Sequence, residues 1–456
     1  MIPHLSTFRL TAAAWALLML IAAAPHAQTA PAQGISPQDL ARLWDAEHVS
    51  PPLPPLVDHA EVVKRLDALK ASAPELVTVE RVGESIEGRS INYVRVGSGA
   101  MAVLLWSQMH GDEATATSAL FDLLEYLRRH RTDPEVRQIL SRLTLHIVPM
   151  LNPDGAERFQ RRNAQSIDVN RDALRLQTPE GKALKALRDR LNPSVGFNLH
   201  NQGWRTSVGS PPKPASISLL SVAYDEARTE NAGRRLTKQI CAVIREALEP
   251  FAFGQIGRYD DEFEVRAFGD NITLWGTPVV LIETGPWPSL EPDPALVRLN
   301  FIALVAALDA LATGHVERAD PARYESLPTN ESRVFYVLVR NATVINGAGV
   351  PPFVADVGIL ANRRVQTADG RREMQVALTI EDMGDLSTMG GLRTIDATGM
   401  TVIPLADDKL TAGHVVDLPE WKAQAATSIA VGQPARMAIL KPAAEPGKYV
   451  VETILK

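Results

Sequence analysis

The chain has 456 residues, 45% of them hydrophobic and 22% charged, enough to bury one large core or two smaller ones, and two domains are the first expectation. A formal net charge of -6 gives no basis for a general affinity for nucleic acid or anionic lipid, so a small-molecule or peptide substrate fits better. Cys241 is the only cysteine, which excludes an internal disulfide and a cysteine-based metal cluster.

At the amino end, Arg9 precedes an apolar run from Leu10 to Ala24 and then small residues, the pattern of a cleaved secretory signal over residues 1–27. That run is shorter than the ~20 residues a span needs, and no other stretch is read as a membrane span. The expectation is a bacterial periplasmic or secreted protein with no stable membrane insertion after cleavage. Residues 28–55 read as a lead-in that ends in the Pro-rich "SPPLPPL", with the folded unit starting after it.

The first domain is placed at 56–315. "AEVVKRLDALKASAPEL" has helical apolar spacing and stops at Pro74, and "VTVERVG" and "SINYVRVG" alternate like the strands of a hairpin around "ESIEGR". Four later segments then share one arrangement. "MAVLLWSQMHGDE", "LTLHIVPMLNPDG", "SVGFNLHNQG" and "TPVVLIETGP" are each an apolar run ending in polar or ionisable residues. Helical patterns such as "ATATSALFDLLEYLRRH" lie between them, so the alternation predicts an α/β sheet covered on both faces by helices. In such folds ligands sit at the carboxyl ends of the strands, where this chain places its reactive residues. "DPALVRLNFIALVAALDALATG" closes the domain, residues 316–333 read as a polar linker, and 334–456 turn β-rich, with runs such as "VFYVLVRNATVI" and "KYVVETIL".

The spacing of His110 and Glu113 is a weak signal alone, but zinc hydrolases commonly use three protein ligands and a water, and two His with one Glu is a recurring set. His200 supplies the second histidine, because it too follows an apolar run and precedes a Gly-containing loop. His146 lies inside its run and reads as a core or supporting residue. Glu283, at the end of a run without other charge, is placed to be a partly desolvated base. "RRNAQSIDVNRD" adds Arg161, Arg162, Asn170 and Arg171, and guanidinium groups suit carboxylate binding and oxyanion stabilisation.

His110-Gly-Asp-Glu113, "NPDG" (152–155), "RRNAQSIDVNRD" (161–172), "NLH" (198–200) and "IETG" (282–285), in this order, resemble the carboxypeptidase A-like zinc peptidases, and "ESIEGRSI" resembles that family's early strand motif. The likeness covers about residues 55–315. It implies an α/β fold with a mixed, mostly parallel sheet flanked by helices and one zinc ion on His110, Glu113 and His200, with Glu283 activating the water. It further implies Arg161 at the scissile carbonyl, selected over Arg162 by the Arg-x-Asn register, with Asn170 and Arg171 at the substrate's terminal carboxylate. Tyr259 matches a tyrosine that covers bound substrate. Asp112 stands where pancreatic members carry arginine, and the side-chain pocket near "RAFGDNITLWG" does not align, so the preferred terminal residue is left open.

The last region carries a second resemblance. "VLVRNATVINGAGVPPFVADVGILANRRV" and "SIAVGQPARMAILKPAAEPGKYVVETILK" are similar to the opening and closing β segments of amidohydrolases. The stretch between Leu405 and Gly432 is far too short for the ~250-residue barrel of those enzymes, and His414 is its only histidine. Residues 334–456 are therefore expected to be a smaller all-β sandwich without a catalytic barrel. The expected function is an exported zinc metallocarboxypeptidase acting on peptides with a free C-terminal carboxylate. The alternatives are a zinc amidase on murein peptides or N-acyl amino acids and, in another class, a non-catalytic peptide-binding protein.

Overall fold

The computed structural model describes Met1 and residues 34–289, 293–346, 350–405, 409–418 and 428–456. Apart from Met1, the candidate signal segment lies outside the described residues. The lead-in is the first difference from expectation. Pro37–Glu47 (α1) is a helix capped by Ser36, whose hydroxyl accepts from Asp39 N, with proline at its first position. It buries Leu40, Ala41 and Trp44 in the main core, and Pro54 and Pro55 are buried in a short 3₁₀ turn. Residues 37–56 are thus part of the folded unit, because Leu40 and Trp44 form an apolar stripe that the proline-rich stretch beside them obscures.

The helices that follow are His59–Ser72 (α2), Thr115–Arg129 (α3), Pro134–Arg142 (α4), Pro153–Arg158 (α5), Pro179–Leu191 (α6), Ala232–Leu248 (α7), Phe268–Leu274 (α8), Asp293–Thr313 (α9) and Pro321–Glu325 (α10). The strands of the first domain are Val77–Glu84 (β1), Ser90–Gly97 (β2), Met101–Ser107 (β3), Leu143–Val148 (β4), Val195–Asn201 (β5), Thr206–Val208 (β6), Lys213–Pro214 (β7), Ile217–Ser221 (β8), Ile256–Arg258 (β9) and Val279–Thr284 (β10). Eight of them form one sheet in the order β1-β2-β4-β3-β5-β10-β8-β9. The central neighbours β4, β3, β5 and β10 run parallel, and β1, β2 and β8 are joined antiparallel at the flanks.

The parallel centre explains the continuous apolar runs, since both faces of those strands are covered. One face packs Val103, Leu105, Phe197 and Ile282 against α3, α7 and α9, and the other packs Leu104, Trp106 and Leu281 with residues of α6 and α8. The helix α9 is long and apolar enough to cross a membrane by length and composition, contrary to expectation, but 83% of its apolar window is buried in the core. From β3 the chain moves to β4 on one side and returns to β5 on the other. The order of strands therefore reverses at β3, and the carboxyl ends of β3 and β5 diverge there into a crevice.

The segment read as a linker is also built into the first domain. Tyr324 of α10 accepts a hydrogen bond from Ser221 N, Pro328 O accepts from Arg258 N, and Asn330 bonds both Ser218 and Gln202. Glu331–Ser332 (β11) then pairs with β6. Polarity in this stretch reflects its position at the sheet edge, not separation from it.

The C-terminal β domain follows with Val334–Val344 (β12), Phe353–Ala368 (β13), Arg371–Gly384 (β14), Gly390–Asp396 (β15), Thr401–Pro404 (β16), Val415–Asp417 (β17), Met437–Pro442 (β18) and Lys448–Leu455 (β19). Its strands share one hydrogen-bonded path, β14-β13-β12-β16-β18-β19-β17, with β15 added on β12. A bridge between Thr379 and Pro434 ties the β14 end of that path to the segment before β18. Strands β13 and β14 form a hairpin much longer than the sheet they belong to, with a turn at Asp369 and Gly370.

Candidate active site

Three strand ends build the site. His110 follows β3, His200 is in β5, and Glu283 is in β10 directly beside His200 in the parallel register. The turn after β3 is tight. Gln108 has a φ of 52°, a left-handed conformation that costs a non-glycine residue about 1 kcal/mol or more. Its side chain is fixed at both ends, the amide donating to Gly111 O and the carbonyl accepting from Thr117 Oγ1. At Gly111 a Cβ would sit 1.9 Å from the Gly155 carbonyl carbon, so only glycine lets the turn lie against α5. His110 and Glu113 are thereby held on a constrained loop.

The metal-ligand candidates converge. Glu113 Oε1 is 2.7 Å from His110 Nδ1, Glu113 Oε2 is 2.7 Å from His200 Nδ1, and the two Nδ1 atoms are 3.2 Å apart. All three side chains are buried, and among the described residues they form the one group of His and carboxylate ligands that could hold a metal ion. The donor set fits zinc: two imidazole nitrogens and a carboxylate aimed at one point. A supporting bond fits as well, because Asp168 Oδ1 lies 3.1 Å from His110 Nε2, the carboxylate–histidine arrangement that orients a ligating ring.

The local electrostatics favour a cation there. Burial acts to lower the His110 pKa, but the Glu113 charge and the hydrogen bonds that Asp168 and Glu113 accept from the ring outweigh it and raise it to about 9. Burial would raise Glu113, yet the two histidines hold it well below the usual carboxylate range. Burial lowers the pKa of His200. Glu283 is pushed well above the carboxylate range, first by burial and then by the neighbouring Glu113 charge, and its Oε2 is buried without a hydrogen-bond partner.

A cavity of about 790 Å³ opens beside this group and is lined by His110, Glu113 and Glu283 together with Arg161, Asn170, Arg171 and Tyr259. Of the site residues singled out in the sequence, His200, which is buried, and Arg162 do not border that space. Arg161 is held by Asp168 at 2.9 Å, with Nη1 3.1 Å from His110 Nδ1. Asn170 Oδ1 accepts from Phe268 N, which turns its amide nitrogen away from that bond. Arg171 donates to Asn170 O and lies 3.3 Å from Glu264. The Tyr259 hydroxyl is raised to about 12, mainly by burial and then by the charges of Glu283 and Glu113. Arg162 instead donates to Ser166 O and is not among the residues lining the cavity.

A zinc carboxypeptidase family model matches residues 62–252. Over that stretch, which is less than half of the chain, the sequence is similar to zinc carboxypeptidases. Carboxypeptidase D of Anas platyrhynchos is 30% identical over 116 residues, 22% of this chain and 8% of the relative. Carboxypeptidase SOL1 of Arabidopsis thaliana is 37% identical over 93 residues, 18% of this chain and 19% of the relative. The chain therefore spans under a third of the length of these relatives. Among solved structures, a metallo-carboxypeptidase from Burkholderia cenocepacia aligns with 56% of this chain and 69% of its own, at 19% identity and a TM-score of 0.46. The matched stretch contains His110, Glu113, Arg161, Asn170, Arg171 and His200, whereas Tyr259 and Glu283 lie beyond residue 252.

Sequence reasoning missed Asp168, which contacts both His110 and Arg161. Its only signal was membership of the motif that supplied Arg161 and Asn170. It also missed the carboxyl group of Asp270, which borders the cavity, accepts from Glu264 N and is raised to about 7 by burial. Two quoted motifs turn out to brace the site. The buried Asp154 of "NPDG" accepts from Ser85 Oγ, Glu87 N and Arg89 of "ESIEGR". His146, as anticipated, is a core histidine, with Nδ1 2.6 Å from the Tyr93 hydroxyl.

Proposed function

We propose that this protein is an exported zinc-dependent carboxypeptidase that hydrolyses the last peptide bond of substrates with a free C-terminal carboxylate. One observation carries the reading: Glu283, 8% exposed and with an unpartnered Oε2, borders the same cavity as the convergent His110–Glu113 pair and the Arg161, Asn170 and Arg171 side chains. A binding module has no use for an unpartnered buried carboxylate beside a metal-ligand group. Export rests on the apolar run from Leu10 to Ala24.

Zinc bound by His110, Glu113 and His200 supplies Lewis acidity toward the scissile carbonyl and lowers the pKa of a water. The rest is done by the chain's own groups. Asn170 and Arg171 fix the terminal carboxylate and so set which bond lies at Glu283. Arg161 donates to the carbonyl oxygen as it gains negative charge, held in place for this by Asp168. Glu283 takes a proton from the attacking water while the new C–O bond forms. It then returns that proton to the amide nitrogen as the C–N bond breaks, so the products are a free amino acid and a peptide shorter by one residue. Tyr259 lies at the cavity wall, positioned to contact the bound terminal residue.

The test is a mixed peptide library with free or amidated C-termini, incubated with and without a chelator and read by mass spectrometry. Loss of single C-terminal residues, only from free-carboxylate peptides and only without chelator, is the expected result. Cleavage of amidated peptides at the same rate would remove the carboxylate-recognition step.

A further inference from the structure

A second cavity, of about 330 Å³, meets the first at Glu113, Arg161, Asn201, Gln202 and Gly203. It lacks Asn170 and Arg171, so it extends from the metal-ligand group away from the carboxylate-binding end. Its far wall comes from the C-terminal β domain: Ala361, Asn362 and Arg363 of β13. On the proposed reading, the terminal residue occupies the first cavity, and the residues on the amino side of the scissile bond must pass through the second.

The β13–β14 hairpin is clamped across that path at two points. Arg363 makes a two-pronged ion pair with Asp293 at 2.9 and 2.6 Å, and its guanidinium lies 5.0 Å from the centre of the Trp204 ring. Near the turn, Arg372 donates to the backbone oxygens of Glu157, Ala156 and Pro55 at 2.7, 3.0 and 3.3 Å. Strand β13 continues five residues past Arg363, to Ala368, a run of about 17 Å at ~3.3 Å per residue. The hairpin therefore bridges from the start of α9 to the end of α5, with the second cavity alongside it. Neither Arg363 nor Arg372 touches the metal-ligand group, so these anchors are not explained by hydrolysis itself.

We propose that the hairpin is a length filter: it walls the acyl side of the cleft and restricts the enzyme to peptides with a short segment before the scissile bond. The volume supports this, since it lies at the small end for a ligand pocket. The inference rests on the carboxypeptidase reading above, and its test separates the two.

The experiment compares kcat/KM of the zinc-loaded full chain for an N-blocked dipeptide, a tetrapeptide and a decapeptide that share their last two residues. The decapeptide is expected to be cleaved at least about tenfold less efficiently than the blocked dipeptide. Arg363→Ala combined with Arg372→Ala, which frees the hairpin, should recover most of that loss without accelerating the dipeptide. At the exposed Asn362, Asn362→Trp should narrow the chamber and slow the tetrapeptide more than the dipeptide. The wild-type length profile decides the matter even where a hairpin variant fails to fold. Equal kcat/KM at all three lengths overturns the filter and leaves the carboxypeptidase standing. Release of the terminal residue from none of the three overturns both.

Discussion

The anchoring of α1 rests on one buried carboxylate, and removing it has a cost that can be worked out from the structure. Asp122, on α3 one face away from the metal-ligand loop, accepts from Trp44 Nε1 at 2.7 Å and from Val49 N and Ser50 N, both at 2.8 Å. Trp44 and Ser50 are buried and Val49 is exposed, so water can replace the lost partner only for Val49 N. Each buried donor left unpaired costs about 1–3 kcal/mol. Asp122→Ala should therefore destabilise the protein by about 3–5 kcal/mol, above the ordinary range for single substitutions. Asp122→Asn keeps the shape and one acceptor oxygen and should cost about half as much. Urea denaturation followed by tryptophan fluorescence checks this, as a lower midpoint with an unchanged slope. An Asp122→Ala protein within about 0.5 kcal/mol of wild type would refute the claim that residues 37–50 are held by this carboxylate.

Two further predictions concern the supporting groups. Asp168→Asn weakens the bond to the His110 ring and the hold on Arg161, and should reduce zinc affinity about 10- to 100-fold in a chelator competition, with the fold retained. His146 is buried neutral, and burial followed by the charges of Arg95 and Arg190 lowers its pKa from 6.5 to about 4. Between those values the unfolded chain binds more protons than the folded one, so stability falls as the pH drops from 6.5 toward 4. His146→Gln should flatten that part of a denaturation-versus-pH curve, and an unchanged slope would count against the assignment.

The parallel core and the strand-end placement of the candidate metal ligands were legible in the sequence for a physical reason. Strands covered on both faces must be apolar along their whole length, so the first charged residue after each run marks a strand end, and His110, His200 and Glu283 all sit at such ends. The register of β5 against β10, which puts Glu283 beside His200, could not be read because pairing between distant strands leaves no local mark. Residues 37–56 were misread because proline masked the Leu40–Trp44 stripe, and the 316–333 segment because a sheet-edge strand can be polar. The reach of the β13–β14 hairpin was invisible for another reason. Its alternating pattern specifies strands, whereas its partners Asp293, Pro55 and Glu157 lie 70 to more than 300 residues away.

The central claim is that Glu283 moves the proton for a hydrolysis organised around His110, Glu113 and His200. The most direct measurement is turnover of a free-carboxylate peptide by wild type and Glu283→Gln, with zinc content determined on the same samples. The account predicts one zinc per chain in both proteins and a loss of about 10²–10⁴ in kcat for the variant. A zinc-loaded Glu283→Gln that cleaves at the wild-type rate would contradict it.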